Sequence, residues 1–226
     1  MNRIRTLWNK YYHALPLLIY VVIYWLWFWH LEGAVTDPHY IIHMHIDDYI
    51  PFCELFVIPY FMWFPYMFVV ILYLLLMDKH EYFRTCIFLF TGMTIFLIIS
   101  TLWPNGHNLR LTVMPRENLF THMVEALWRT DTPNNLWPSV HVYNSLGIHL
   151  GVAHSRCLSE KKPIKMTSFL LCSAIILSTL FIKQHSMFDV LTAFIMAALM
   201  YVIVYRLMSI EFMKNLKHPK SFPSQV

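Results

Sequence analysis

The stretch FCELFVIPYFMWFPYMFVVILYLLLM, residues 52–77, runs for 26 positions with a single charged side chain, Glu54. A helix that crosses a bilayer needs about 20 predominantly apolar residues, so these positions read as a membrane span. Pro59 and Pro65 lie inside it. A proline removes an amide donor and collides with the carbonyl four residues back, so a kinked helix is expected, either shaping a lipid entry groove or serving packing alone. Five further stretches read as spans: 15–31, 86–103, 139–157, 167–184 and 187–208. The expected fold is therefore all-α, a polytopic membrane protein. One integral-membrane domain, 1–226, holds six transmembrane helices in a bundle and ends in a polar tail, 214–226.

Composition agrees. Of 226 residues, 58% are hydrophobic, 17% aromatic and 13% charged, against about a quarter charged in a soluble domain. So few charges do not cover a soluble surface, which excludes a soluble globular domain, a disordered chain and a typical nucleic-acid binder. Five glycines exclude a collagen-like chain. The four cysteines, Cys53, Cys86, Cys157 and Cys172, form no obvious bridging pair and read as apolar fillers.

The basic residues orient the spans. Arg3, Arg5, Lys10, Lys79, Arg84, Arg156, Lys161, Lys162, Lys165, Arg206, Lys214, Lys217 and Lys220 all fall on one side, 13 of 17 cations. By the positive-inside rule that side, with both termini, is cytoplasmic. The net charge of +4 is then membrane anchoring and implies no nucleic acid. Trp25, Trp27 and Trp29 read as an interfacial belt, and no cleavage site follows the first span. With the compact size, this points to a bacterial cytoplasmic membrane. Oligomeric state is not legible.

Arg110, Arg116, Arg129 and Lys183 are left on the outer side. Ionisable groups at membrane depth are costly, so their location marks candidate function. Two segments collect them. The connection 104–138 carries His107, Arg110 and Arg116 and ends in Pro138-Ser139-Val140-His141. The junction 178–189 carries Ser178, Thr179, Lys183, Gln184, His185, Ser186 and Asp189. Pro138 suits the first position of a helix, after which Ser139, Val140 and His141 would present free amides, an anion site. His185 and Asp189 are four residues apart and share a helical face. A carboxylate on one imidazole nitrogen fixes the tautomer and leaves the other nitrogen free to attack. Two histidines, cations and a helix N-terminus are the parts of phosphoryl transfer through a covalent intermediate.

Pro138-Ser139-Val140-His141 resembles the Pro-Ser-x-His motif of the type 2 phosphatidic acid phosphatase superfamily. The run from Ser178 to Asp189 resembles that family's Ser-Arg-x5-His-x3-Asp motif with its spacing intact. The resemblance covers about 103–208 and implies a membrane lipid phosphatase or phosphotransferase with its site at the outer leaflet. It implies His185 as nucleophile, Asp189 as its orienting carboxylate, His141 as general acid and Ser139 as a phosphate ligand. No cofactor and no metal are expected; the partners are the bilayer and a phosphorylated lipid. Two departures stand out. Thr179 occupies the arginine position of the third motif, where Lys183 could replace it, and Ser178, at the motif's serine position, is a further phosphate-binding candidate. The first motif, Lys-x6-Arg-Pro, is represented by Arg110-Leu111 with Trp103 at the lysine position, and Arg116 or His107 could take over. This divergent cage is more similar to phosphotransferase branches, such as inositol-phosphorylceramide and sphingomyelin synthases. A non-catalytic phospholipid binder is the third reading.

Blander readings accompany these. Arg110 and Arg116 also suit lipid headgroup contacts, and Arg129 a solvated charge. His149 and His154 read as interface residues or partners of neighbouring carbonyls. His39, His43, His45, Asp47 and Asp48 contain an i,i+4 histidine pair, but the cluster reads as polar cover near headgroups and no metal is assigned.

Overall fold

The computed structural model describes residues 12–34, 40–158 and 160–208. Arg3, Arg5, Lys10, His39 and the 214–226 tail lie outside them. The described chain is mostly helical, and five of its helical segments are long and apolar enough to cross a membrane: Tyr12–Ala34, Glu54–Met77, Lys79–Leu102, Lys162–Phe181 and Met187–Leu207. The element order is α1 (Leu15–Ala34), β1 (Tyr40–Ile41), α2 (Val57–Phe61), α3 (Trp63–Met77), α4 (Lys79–Leu102), β2 (Asn105–Gly106), α5 (Leu119–Thr130), α6 (Val140–His154), α7 (Lys162–Phe181) and α8 (Met187–Tyr201). Short 3-10 turns at Tyr12–Ala14, His45–Asp48 and Glu54–Phe56 precede or join them, and a π-helical turn, Val202–Leu207, extends α8.

The stretch 52–77 is interrupted where its prolines require. Pro65 would clash with the carbonyl of Phe61 in a continuous helix, and α2 gives way to α3 at Met62. Other boundaries moved for reasons of capping. α4 starts at Lys79, seven residues before the expected 86, because the Asp78 carboxylate accepts the Glu81 amide. α7 starts at Lys162 with a proline in its first turn, a position where the missing N–H is not needed. The connection 104–138 contains a helix that hydropathy alone did not reveal. Asn118 caps α5 by accepting from the Phe120 and Thr121 amides. The apolar positions Phe120, Val124, Leu127 and Trp128 recur at helical spacing on the face of α5, and that periodicity was legible.

α6 is the hub. At 15 residues it is about 22 Å long, short of a hydrocarbon core, and it packs against α3, α4, α7 and α8 together. Small residues let α4 and α6 approach: a Cβ on Gly92 would lie 2.0 Å from the Tyr143 ring, and one on Gly147 2.6 Å from that of Phe88. Phe88 and Tyr143 stack with centroids 4.7 Å apart. The core formed here includes Leu89, Ile148, Cys172, Ile175, Val190 and Ala193. α1 is peripheral, resting on α4 with Leu31 its one buried residue. All four cysteines are free.

At one end of the bundle the connections tie together. β1 pairs in parallel with β2, Tyr40 opposite Asn105 and Ile41 opposite Gly106, so the chain after α1 is fastened to the end of α4. Under α5, Val57, Tyr60, Val124, Leu127 and Ile182 form a second apolar cluster. This end also gathers His107, Arg110, Ser139, His141 and His185.

Candidate active site

Pro138 does not open α6 as expected. The Trp137–Pro138 peptide is cis, Ser139 is the N-cap, and Val140 is the first helical residue. A cap in extended conformation lets its side-chain oxygen reach back to the first turn, and Ser139 Oγ accepts the Val142 amide at 3.3 Å. The Ser139 amide donates to the Asp189 carbonyl at 3.3 Å. The starts of α6 and α8 are thereby stitched together.

α8 begins with a reciprocal cap: Ser186 Oγ accepts from Phe188 N, and Asp189 Oδ2 accepts from Ser186 N at 3.0 Å. The same carboxylate oxygen lies 3.2 Å from His185 Nδ1. Both side chains are buried, at 4% and 0% exposure. Nδ1 is then the protonated nitrogen, and among the described residues no hydrogen bond engages Nε2. Burial, with the Arg110 charge adding to it, pushes the His185 imidazole down to about 3, so the ring is neutral at physiological pH. The His141 ring lies 5.7 Å from that of His185, centroid to centroid, and packs against Tyr60 at 4.7 Å and Trp63 at 4.5 Å. Two helix starts bring two imidazoles to less than one helix spacing of about 8–10 Å.

The residue before His185 organises the electrostatics. Gln184, 1% exposed, accepts from Arg110 through Oε1 at 2.6 Å and donates through Nε2 to Asp131 at 2.9 Å. Arg110 also donates to the carbonyls of Trp128 at 2.8 Å and Asp131 at 2.6 Å, while its buried Nε has no partner among the described residues. Burial lowers the Arg110 guanidinium from its ordinary value, yet arginine stays cationic in proteins. Burial raises the Asp131 carboxyl against the opposing pull of Tyr60, Arg110 and Gln184. His107 accepts the Leu109 amide on Nδ1 and so donates from Nε2 to the Gln184 carbonyl, at 2.9 Å. Its imidazole is pushed down to about 4 by burial and serves as a neutral donor.

Three expected phosphate ligands turn elsewhere. Lys183 Nζ donates to the carbonyls of Asp47 at 2.9 Å and Ile50 at 2.6 Å. Its ammonium is lowered by burial, with Asp47 and Asp48 acting against that shift. Arg116 is exposed and pairs with Glu54 at 3.2 Å, an oxygen shared with Asn118. Ser178 Oγ donates within its own helix to the Ile175 carbonyl. Thr179 is buried; its hydroxyl also turns back on its helix, and its carbonyl accepts the amides of Gln184 and His185. His149 meets Ser168 Oγ and His154 the Leu150 carbonyl. Arg129 is exposed. Among the described residues no group of three or more His, Cys, Asp or Glu side chains could hold a metal. His43 pairs with Asp48 alone at 2.8 Å.

Tyr60, Trp63 and Asp131 carry no site role in the sequence, Gln184 only marks a polar junction, and Asp47 reads there as polar cover. Gln184 had a visible signal, a polar residue between a lysine and a histidine at a span junction. Tyr60 and Trp63 had none, because aromatic residues in an apolar run read as core. No known family model, curated protein or solved structure matches this chain.

Proposed function

We propose that this chain is an integral-membrane lipid phosphatase that works through a phosphohistidine at His185, in keeping with its resemblance to the type 2 phosphatidic acid phosphatase superfamily. α6 is the sixth crossing in this reading, both termini are cytoplasmic, and the site faces the outer leaflet of a bacterial cytoplasmic membrane. The observation that carries the proposal is the convergence of a buried, carboxylate-oriented, neutral imidazole with a second imidazole whose ring centroid is 5.7 Å away. A helix-stabilising pair alone would not need the second ring or the neighbouring Arg110.

In the first step His185 Nε2 attacks phosphorus. The bond from phosphorus to the lipid oxygen breaks, and His141, protonated, gives its proton to the leaving alkoxide or phosphate. Asp189 holds the Nδ1 proton and stabilises the imidazolium that forms. In the second step water attacks the phosphohistidine, His141 takes the proton from the water, and free phosphate leaves. Arg110 exchanges its Gln184 contact for a phosphate oxygen, and the Ser139 hydroxyl and the first amides of α6 supply further donors. His107 keeps the Gln184 carbonyl in place. The substrate is a phosphatidate-like monoester or a polyprenyl pyrophosphate.

A second reading, transfer of the phosphoryl group to a lipid hydroxyl, draws on the altered cage: Thr179 replaces a cation, and Lys183 is held by two backbone carbonyls. Radiolabelled phosphatidate and polyprenyl pyrophosphate, presented with and without acceptor lipids, separate the readings by release of free phosphate or formation of a new lipid. Acid-labile label on the wild-type protein, lost in His185→Ala, is expected. Full activity of His185→Ala on every such lipid would overturn the assignment.

A further inference from the structure

We propose that Asp47 is a positioning residue for the His185–Asp189 pair, acting through the turn 183–187; this rests on the reading of His185 as nucleophile. Asp47 is 2% exposed and stands 139 residues from Ser186 in sequence. Its Oδ2 accepts the Ser186 hydroxyl at 2.5 Å and the Met44 amide at 2.8 Å, and its Oδ1 accepts the Met187 amide at 2.7 Å. A remote carboxylate therefore sits at the N-terminus of α8, where the unpaired amides and the helix dipole favour negative charge.

The bonds run in both directions. The Asp47 carbonyl accepts from Lys183 Nζ, as does that of Ile50. Lys183 adopts a φ of 55°, in the left-handed region uncommon for any residue but glycine, and its ammonium is anchored on the 44–50 loop. The loop and the turn thus clasp each other on both sides of His185. Ser186 is the shared link: its hydroxyl donates to Asp47, and its amide donates to the Asp189 oxygen that also meets His185. If the clasp slackens, the amide that helps fix Asp189 moves, and the His185 tautomer is no longer set.

Every group facing the Asp47 carboxylate is a donor, so an amide cannot replace it: Asp47→Asn must turn an NH2 toward an N–H or O–H. A helix cap without a catalytic consequence would lower stability alone. The full-length protein in detergent, labelled with 15N-histidine, distinguishes the two. Wild type is expected to show His185 as one neutral tautomer protonated on Nδ1. Asp47→Asn is expected to show a tautomer mixture and to form phosphoenzyme from radiolabelled phosphatidate at least about tenfold more slowly, with unchanged half-saturation. Ser186→Ala, which removes the hydroxyl link to Asp47 together with the α8 cap on the Phe188 amide, is expected to move the same way. Ser186→Thr, which keeps the hydroxyl, is expected to restore both signals; this pair carries the test if Asp47→Asn does not fold. An unchanged tautomer and unchanged phosphorylation rate in folded Asp47→Asn or Ser186→Ala would overturn the proposal. A wild type that shows the tautomer shift on mutation but forms no phosphoenzyme from either lipid would remove the phosphohistidine reading and leave the positioning of His185 standing.

Discussion

The two ends of the bundle each bury an aspartate that ties helices together, yet they differ in what the aspartate leads to. At one end Asp78 accepts the Glu81 amide at 3.1 Å, the Ser155 hydroxyl at 3.0 Å and the Arg156 amide at 2.9 Å, joining the start of α4 to the end of α6. Beside it the Glu81 oxygens are taken by Tyr205 at 2.7 Å and Arg84 at 3.4 Å. At the other end Asp47 makes the same kind of contacts, but its chain of bonds continues through Ser186 and Asp189 to His185, whose second nitrogen is unengaged among the described residues. A buried carboxylate is common to both ends. Among the described residues, the one at Asp47 is linked through Ser186 and Asp189 to a buried imidazole whose Nε2 is unengaged and which has a second imidazole beside it. Burial of charge in a membrane helix is a pointer to function, and under the proposed function the two ends divide on whether an unengaged reactive atom stands at the end of the chain of bonds.

The largest effect that tests this division is loss of the proposed nucleophile. His185→Ala is expected to reduce turnover of phosphatidate or polyprenyl pyrophosphate by about 10³-fold or more, with the folded protein still monodisperse. His141→Ala is expected to cost about 10²- to 10⁴-fold, as for loss of a general acid. At the opposite end, Asp78→Ala leaves three donors without their acceptor. It is expected to lower stability by about 1–3 kcal/mol while turnover per folded molecule stays within twofold. Thermal unfolding in detergent, followed alongside the rate, checks both; a folded Asp78→Ala protein with a large fall in turnover would break the division.

Acid separates the ends next. His107 and His185 are held near 4 and 3, below the ordinary 6.5, so on acidification the unfolded chain takes up protons that the folded chain refuses. Stability present above pH 6.5 is therefore lost as the pH falls from 6.5 toward 4. At Asp78, burial works to raise the carboxyl, but the Glu81 and Arg156 amides and the Ser155 hydroxyl outweigh it and hold the group below 3.8. Its contribution is present above 3.8 and is lost only as the pH falls below that. Hydrogen exchange between pH 7 and 4 should open the 182–189 turn first while the Asp78 end stays protected. Activity is expected to be bell-shaped, since one imidazole must be neutral and the other protonated. A flat profile from pH 5 to 9, with product release shown to be fast, would count against the two-histidine mechanism.

The two ends were not equally legible. Apolar runs marked the five long helices, and the four-residue spacing marked the contact of His185 with Asp189. The contact does not come from a shared helical face, because His185 lies in the turn before the Ser186 cap and only Asp189 is on α8. The cap at Asp78 was also within reach, since an aspartate three residues before a glutamate at the start of a helix is a readable pattern; the apolar run, which starts later, drew the boundary instead. What local sequence cannot carry is a bond such as that from Asp47 to Ser186, formed only when two connections meet in space. Asp131 and Tyr60 escaped for the same reason: neither belongs to a motif, and they meet each other and Gln184 only in the folded chain. Lys183 shows the converse. Its charge and position suited a phosphate ligand, but its left-handed backbone carries the ammonium to the 44–50 loop.

The smallest expected effect concerns two arginines that the sequence could not separate. Arg110 and Arg116 lie six residues apart in one connection, and both were candidates for phosphate or headgroups. Arg110 is half-buried and donates to Gln184, the neighbour of His185, so Arg110→Ala should lower turnover strongly and leave Gln184 and Asp131 without their cation. Arg116 is 69% exposed on its side chain and reaches the buried Glu54 carboxylate from the solvent side. With the guanidinium in water, the charge is screened and the long side chain loses freedom on pairing, so the pair contributes about 0–1 kcal/mol. Glu54 also keeps its Asn118 donor when the guanidinium is gone. Arg116→Ala is therefore expected to shift thermal stability by no more than about 1 kcal/mol and turnover by less than about twofold, with the difference shrinking further at high salt. A rise in the half-saturating lipid concentration in Arg116→Ala, absent when the assay is repeated at high salt, would instead assign it to steering of the anionic substrate. That result would extend the reactive end of the bundle outward to the membrane surface.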